Sequence, residues 1–144
     1  MTQAVIFDLD GTLIDSLPDV MNALNNVLAG SNRRPVTRAE ATLMIGGGAE
    51  PLLERAFAVT GDELTPERLP TCVEAFSTYY RANPVTDTTV FEGVVPALQA
   101  LANRGLRLGI CTNKPHHSAL QVLEMLSLDV HFGACFGKSS VPYH

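Results

Sequence analysis

The chain has 144 residues and a formal net charge of −5, a length that holds one domain or one domain with an insertion and excludes a large multidomain machine. With 46% hydrophobic and 17% charged residues, the composition is that of a globular protein with a core to bury, which excludes disorder and collagen-like arrays. No basic run exceeds Arg33-Arg34, so the electrostatic footprint for nucleic acid or an anionic membrane is missing and a small molecule is the expected partner.

Residues 4–9, Ala-Val-Ile-Phe-Asp-Leu, are a short apolar run suited to a strand buried on both faces of a parallel sheet, with Asp8 at its carboxyl end. Gly11 breaks the run. Ser16, Pro18 and Asp19 signal a helix start ahead of Val20, Met21, Leu24, Val27 and Leu28, which share one helical face, and Gly30 stops it. Thr37 and Glu40 form a capping box for a second helix, interrupted by Gly46-Gly47-Gly48 and resumed through Leu52, Leu53, Ala56 and Phe57. The three glycines serve equally as a substrate-facing loop or as a flexible joint. Thr65-Pro66 opens a further helix carrying Val73, Phe76 and Tyr80 and closed by Pro84, so that residues 16–89 read as helical throughout. Beyond Phe91-Glu92-Gly93 the pattern changes to a helix over 94–103, a strand over 106–112, a helix from Pro115 to Leu126 and a short strand over 134–136. Alternation of strand and helix predicts a parallel α/β sheet with right-handed crossovers, here a discontinuous α/β core of residues 1–15 and 90–144 interrupted by a helical cap domain of residues 16–89.

Cys72, Cys111 and Cys135 are too scattered for zinc-ligand spacing and too few for a disulfide framework, and read as reduced thiols of a cytosolic interior. No positive region precedes the first apolar run, and no stretch approaches the ~18 apolar residues of a membrane span, so a cytoplasmic location without a membrane is expected.

Asp8-Leu9-Asp10-Gly11-Thr12 carries the strongest chemical signal, because open α/β sheets place their ligands at the carboxyl ends of strands. Two carboxylates one residue apart in a turn can face a common centre and hold a hard cation through oxygen. With magnesium offsetting the repulsion, one carboxylate can attack phosphorus while the other exchanges a proton with the leaving oxygen. An Asx-type turn closing a strand would use the same residues. Cys111-Thr112-Asn113-Lys114, at the end of the second strand, offers a hydroxyl, an amide and an ammonium to phosphate on the same sheet edge, though a polar turn before Pro115 explains it as well. Gly137-Lys138-Ser139 looks like the end of a phosphate loop, but Gly133 stands one residue too close to form the cradle. His116 and His117 open a helix and have no third metal ligand at suitable spacing.

The run Phe7-Asp8-Leu9-Asp10-Gly11-Thr12-Leu13-Ile14-Asp15-Ser16, the helical insert, Phe91-Glu92-Gly93-Val94 and Cys111-Thr112-Asn113-Lys114 together resemble the haloacid dehalogenase superfamily of phosphatases. The segment from Ile45 to Ala56 resembles the cap of phosphoglycolate phosphatases. The resemblance implies a Rossmann-like parallel sheet core. Asp8 would be the nucleophile that forms an aspartyl-phosphate, and Asp10 the general acid and base. Thr112 and Asn113 would bind the transferring phosphoryl group, and Mg²⁺ would sit on Asp8 and the backbone carbonyl of Asp10. An aspartate at position 10 also separates the phosphatases from the dehalogenases of the superfamily.

The family's third motif, a lysine in a Lys-Pro-x-Pro stretch, and its fourth, a Gly-Asp acidic cluster, have no counterpart here. After Glu92 the acids are Glu124 and Asp129, and the chain stops at Val141-Pro142-Tyr143-His144, where the lysine segment would begin. The sequence therefore resembles the first two-thirds of a phosphatase, with an incomplete sheet core. Magnesium-dependent hydrolysis of a small phosphorylated metabolite, 2-phosphoglycolate by the cap, is the expected activity. The alternatives are a truncated, non-catalytic fragment that binds phosphate, metal or a partner, and a phosphoglucomutase-type phosphotransferase. The first strand would lack its neighbours on one side and would expose Val5 and Phe7, which predicts a homo-oligomer paired or swapped through that sheet edge, or a marginally stable chain.

Overall fold

The computed structural model describes residues 3–140, and the terminal run Val141-Pro142-Tyr143-His144 lies outside the described residues. The chain divides into two units, one made of residues up to Ser16 together with those from Thr88 onward, the other of Leu17–Asp87. No helix of the described residues is long and apolar enough to cross a membrane.

The first unit is α/β. Strand β1 (Ala4–Phe7) pairs in parallel with β4 (Arg107–Pro115), and β4 with β5 (Ala134–Lys138), in the order β1-β4-β5. Helix α5 (Val94–Asn103) leads into β4, and α6 (His116–Met125) with a single 3₁₀ turn (Asp129–His131) links β4 to β5. Both helices pack on β4, where Leu108 and Ile110 are buried, and Leu98, Ala119, Val122 and Leu123 are buried on the helices. Phe7 meets Phe132 edge-to-face, ring centroids 6.3 Å apart.

The opposite face of the sheet is open among the described residues. Successive side chains alternate across a strand, so the register Ile6↔Gly109 and Cys111↔Phe136 sets Ile6, Cys111 and Phe136 on one face. Ile6 is 60% and Phe136 50% exposed. This corrects two expectations: β1 is covered on one face rather than both, and the exposed apolar residue is Ile6 instead of the half-buried Val5 and Phe7. Cys111 is also exposed, whereas Cys72 alone of the three free cysteines is fully buried.

A second difference concerns the ends of the insert. Strands β2 (Ile14–Asp15) and β3 (Thr89–Val90) form an antiparallel ribbon, with Ile14 opposite Val90 and Asp15 opposite Thr89, so the helical reading of 16–89 stops short of Thr89. Two-residue strands carry no periodicity for a sequence to display.

The second unit consists of four helices, α1 (Leu17–Gly30), α2 (Arg38–Met44), α3 (Ala49–Thr60) and α4 (Leu69–Ala82). Their apolar stripes meet in a core that includes Leu24, Leu28, Leu53, Phe57 and Phe76. Fully burying such side chains stabilises by roughly 1.5–3 kcal/mol each. The Arg33 guanidinium lies 4.6 Å from the centroid of the Phe57 ring and donates to the carbonyls of Phe57 and Asp62 at 3.0 and 2.6 Å. Buried Asp19 accepts the backbone N–H groups of Thr86 and Asp87 at 2.9 and 3.1 Å, tying the start of the insert to its end. Gly46, Gly47 and Gly48 all adopt positive φ, a conformation that excludes ordinary side chains from the α2–α3 joint.

The capping box expected at Thr37 is present. Thr37 Oγ accepts the N–H of Glu40 at 3.2 Å, and the Glu40 carboxylate accepts the N–H of Thr37 at 2.8 Å. Arg34 grips the same carboxylate with two N–H donors at 2.8 and 3.0 Å. The Arg34 contact first, and the Thr37 N–H second, hold the Glu40 carboxyl down from 4.5 to about 2. A group with a depressed folded pKa stabilises the fold above its unfolded value, so this contribution is present above pH 4.5 and is lost as the pH falls toward 2. A carboxyl-carbon NMR titration is expected to give Glu40 a midpoint near 2 and a higher one in Arg34→Ala; a midpoint of 4.5 in the unaltered chain would show that the pair does not form in solution.

Candidate active site

The site is built at the carboxyl edge of the parallel sheet. β1 ends at Phe7, opposite Ile110, and Asp8 follows immediately. Residues 9–14 then curl tightly, because the N–H groups of Thr12, Leu13 and Ile14 all turn back to the carbonyl of Leu9 and the N–H of Gly11 donates to the carbonyl of Ile14 at 2.9 Å. Gly11 has φ of 78° with open space around it, so the backbone conformation, and not crowding, calls for glycine. Leu9, expected as the last strand residue, is instead the fully buried pivot of this turn.

The turn separates the two aspartates by environment. Asp8 is exposed, and its Oδ1 accepts the N–H of Leu9 at 2.8 Å. Asp10 is partly buried, and its Oδ1 accepts two donors, the Ser16 hydroxyl at 2.5 Å and the Lys114 ammonium at 2.9 Å. The Lys114 side chain is only 7% exposed and that of Asp10 21%. An ammonium withdrawn this far from water needs such a hydrogen-bond acceptor.

β4 brings the second group of residues. It runs to Pro115, three residues beyond the expected end, with an irregularity in its pairing to β5 between Cys111 and Pro115. Thr112 is buried, and its Oγ accepts the N–H of Lys114 at 3.1 Å, which leaves the hydroxyl proton free to be donated. Asn113 is exposed. The Cys135 thiol on neighbouring β5 is pushed up by burial and then by the nearby Cys111. Of the residues expected at the site, Asp10 is thus joined to the Thr112 turn through Lys114, while Asp8 and Asn113 stand exposed at the same edge.

The profile of the haloacid dehalogenase-like hydrolases matches residues 2–144. The chain belongs to this family. Phosphoglycolate phosphatase of Rhodospirillum rubrum is 43% identical over 132 residues, covering 89% of this chain and 55% of that protein. Phosphoglycolate phosphatase of Cereibacter sphaeroides is 39% identical over 138 residues, covering 96% and 63%. The crystal structure of a predicted phosphoglycolate phosphatase from Haemophilus somnus 129PT superposes with a TM-score of 0.89 at 30% identity, covering 99% of this chain and 65% of that one. The chain therefore spans about three-fifths of the length of the curated relatives it matches.

Two residues of this haloacid dehalogenase-like hydrolase have a place at the edge that sequence reasoning did not assign. Lys114 lies inside the Cys111–Lys114 motif but reads there as one of several phosphate-compatible donors, and Ser16 reads as a helix-start signal. The pairing of β1 with β4 that brings Lys114 to Asp10 is a property of the sheet, and neither local pattern contains it.

Among the described residues no three His, Cys, Asp or Glu side chains gather where a metal ion could be held. The Asp8 carboxylate and the Asp10 carbonyl are hard oxygen donors, which suits Mg²⁺, an ion ordinarily held by one or two carboxylates with water and phosphate completing its shell. The fit is to part of a magnesium site. Calorimetry on this 144-residue chain is expected to show Mg²⁺ binding well below that of the longer phosphoglycolate phosphatases. Tight, stoichiometric binding would reveal a ligand outside this pair.

Proposed function

We propose that this chain carries the nucleophile and proton-transfer residues of a Mg²⁺-dependent phosphatase for a small phosphorylated metabolite, with 2-phosphoglycolate as the substrate. The observation that carries the reading is the Asp8-Leu9-Asp10-Gly11-Thr12 turn at the carboxyl end of β1, beside the Thr112 end of β4, in a member of a hydrolase family whose curated relatives are named phosphoglycolate phosphatase.

Exposed Asp8 is the proposed nucleophile: one of its carboxylate oxygens attacks phosphorus and the bond from phosphorus to the alkoxide oxygen breaks. Asp10 gives its proton to that leaving oxygen, then takes a proton from the water that hydrolyses the aspartyl-phosphate. The Thr112 hydroxyl and the Asn113 amide donate to the phosphoryl oxygens. Mg²⁺, held by the Asp8 carboxylate and the Asp10 carbonyl, would neutralise charge on the phosphoryl group. Leu17–Asp87 is the proposed cap domain of the α/β core, and the cytoplasm its proposed location.

Asp8→Asn removes the attacking group and is expected to abolish phosphate release from 2-phosphoglycolate. Thr112→Ala removes one donor to the developing charge and is expected to slow release by about a hundredfold. Equal rates in the unaltered protein and in Asp8→Asn would overturn the assignment.

The 144-residue chain is further proposed to self-associate. β1 is an edge strand among the described residues, and Ile6 and Phe136 expose apolar surface on the open face. The unpaired N–H and C=O groups of an edge strand beside exposed apolar side chains invite pairing with a second chain. Light scattering is expected to give a dimer or larger species; a monomer with a cooperative, high-temperature melt would show that the edge is tolerated.

A further inference from the structure

We propose that Lys114 is a positioning residue that decides which oxygen of Asp10 exchanges the proton, an inference that rests on the phosphatase reading above. Asp10 Oδ1 is taken twice, by the Lys114 ammonium at 2.9 Å and the Ser16 hydroxyl at 2.5 Å, whereas no hydrogen bond from the described residues reaches Oδ2. The two donors come from opposite directions along the chain, Ser16 six residues after Asp10 and Lys114 104 residues after it. A carboxylate held on one oxygen by two donors cannot exchange its oxygens by rotating about its terminal bond without losing both. Oδ2 is therefore the oxygen that meets the leaving group.

Lys114 is itself fixed at both ends. Its N–H donates to Thr112 Oγ at 3.1 Å, its stem is almost wholly buried, and its ammonium ends on Asp10. A lysine free to follow a substrate would keep its ammonium in water. The same contact links the two halves of the site: the turn that presents Thr112 to the phosphoryl group also sets the orientation of Asp10. A phosphate-binding lysine would instead act on substrate affinity, and the two roles have different kinetic signatures.

The test compares an alkyl phosphate, 2-phosphoglycolate, whose leaving oxygen must be protonated, with p-nitrophenyl phosphate, whose leaving group departs without a proton. General acid catalysis contributes about 10²–10⁴-fold, so Lys114→Met is expected to lower kcat/KM, which reports phosphoryl transfer to Asp8, by about a hundredfold or more on the alkyl phosphate and to leave it little changed on the aryl phosphate, while the shared hydrolysis of the aspartyl-phosphate slows for both. Lys114→Arg, which keeps a buried cation, is expected to restore part of that loss. An equal fall in kcat/KM on both substrates would assign Lys114 to phosphate binding and overturn the proposal. Hydrolysis of neither substrate by the unaltered protein would reject the phosphatase reading alone. The positioning is then decided by crystal structures of Lys114→Met, or of Lys114→Gln if the methionine variant does not fold: a turned Asp10 carboxylate is expected, and one left in place with its Oδ1 on Ser16 overturns the role.

Discussion

The parallel pairing of β1 with β4 is the constraint on which the site depends. Because the strands run in the same direction, their carboxyl ends lie on one edge, and the register Phe7↔Ile110 carries Asp8 and Asp10 off one strand beside Thr112 and Lys114 off the other. An antiparallel pair would send the two motifs to opposite edges. Between the strands the chain leaves the sheet for a helical insert, and the entropy of closing such an excursion grows only with the logarithm of its length, about 0.6 kcal/mol for each doubling. The β2–β3 ribbon rejoins the chain at the α/β unit, and Asp19 ties the first turn of the insert to its last residues. Each unit thus holds its own ends together.

At the edge, charge is divided unevenly between two acids that the sequence writes almost identically. Asp10 has a cation and a hydroxyl on one oxygen, while Asp8 keeps to an exposed position with a single backbone donor. An attacking carboxylate needs access and an unoccupied lone pair; a proton carrier needs a fixed direction. The Leu9 pivot, with three N–H groups turned onto its carbonyl, produces this division, since it throws Asp10 inward toward Ser16 and leaves Asp8 at the rim. Because the ammonium of Lys114 reaches Asp10 and not the exposed Asp8 carboxylate, a phosphate approaching Asp8 calls for a further cation. That is the physical ground for magnesium in the proposed mechanism.

What could be read from the sequence is what depends on near neighbours. The Thr37–Glu40 box, the stop of α1 at Gly30 and the alternation of helix and strand after residue 93 all follow from contacts within four residues or from periodicity, and all are present. The Asp8-x-Asp10-Gly11 turn is legible for the same reason, since glycine at positive φ is a local demand. What the sequence does not display depends on pairing between distant segments: the two-residue strands β2 and β3, the extra length of β4, and the choice of which face of β1 is covered. That choice turns on which side α5 and α6 pack, and a four-residue apolar strand does not announce it. The Lys114–Asp10 contact, spanning 104 residues, belongs to the same class.

Gly137 shows how a motif-like signal can have a packing cause. Followed by Lys138 and Ser139 it resembles the end of a phosphate loop, yet it lies inside β5, and a Cβ there would come within 2.5 Å of the His116 Cα and 2.8 Å of the Lys114 carbonyl. Its φ is unexceptional, so the glycine is there for closeness of approach and not for a turn. The approach has a purpose at the site, because the backbone that Gly137 admits is the one that leads from Thr112 through Lys114 into α6. Any side chain at 137 would push either β5 or that turn aside, and with it the two residues whose placement relative to Asp10 the parallel sheet establishes. The glycine beside Lys138 therefore serves the candidate site at one remove, by letting the third strand support the turn that carries Thr112 and Lys114.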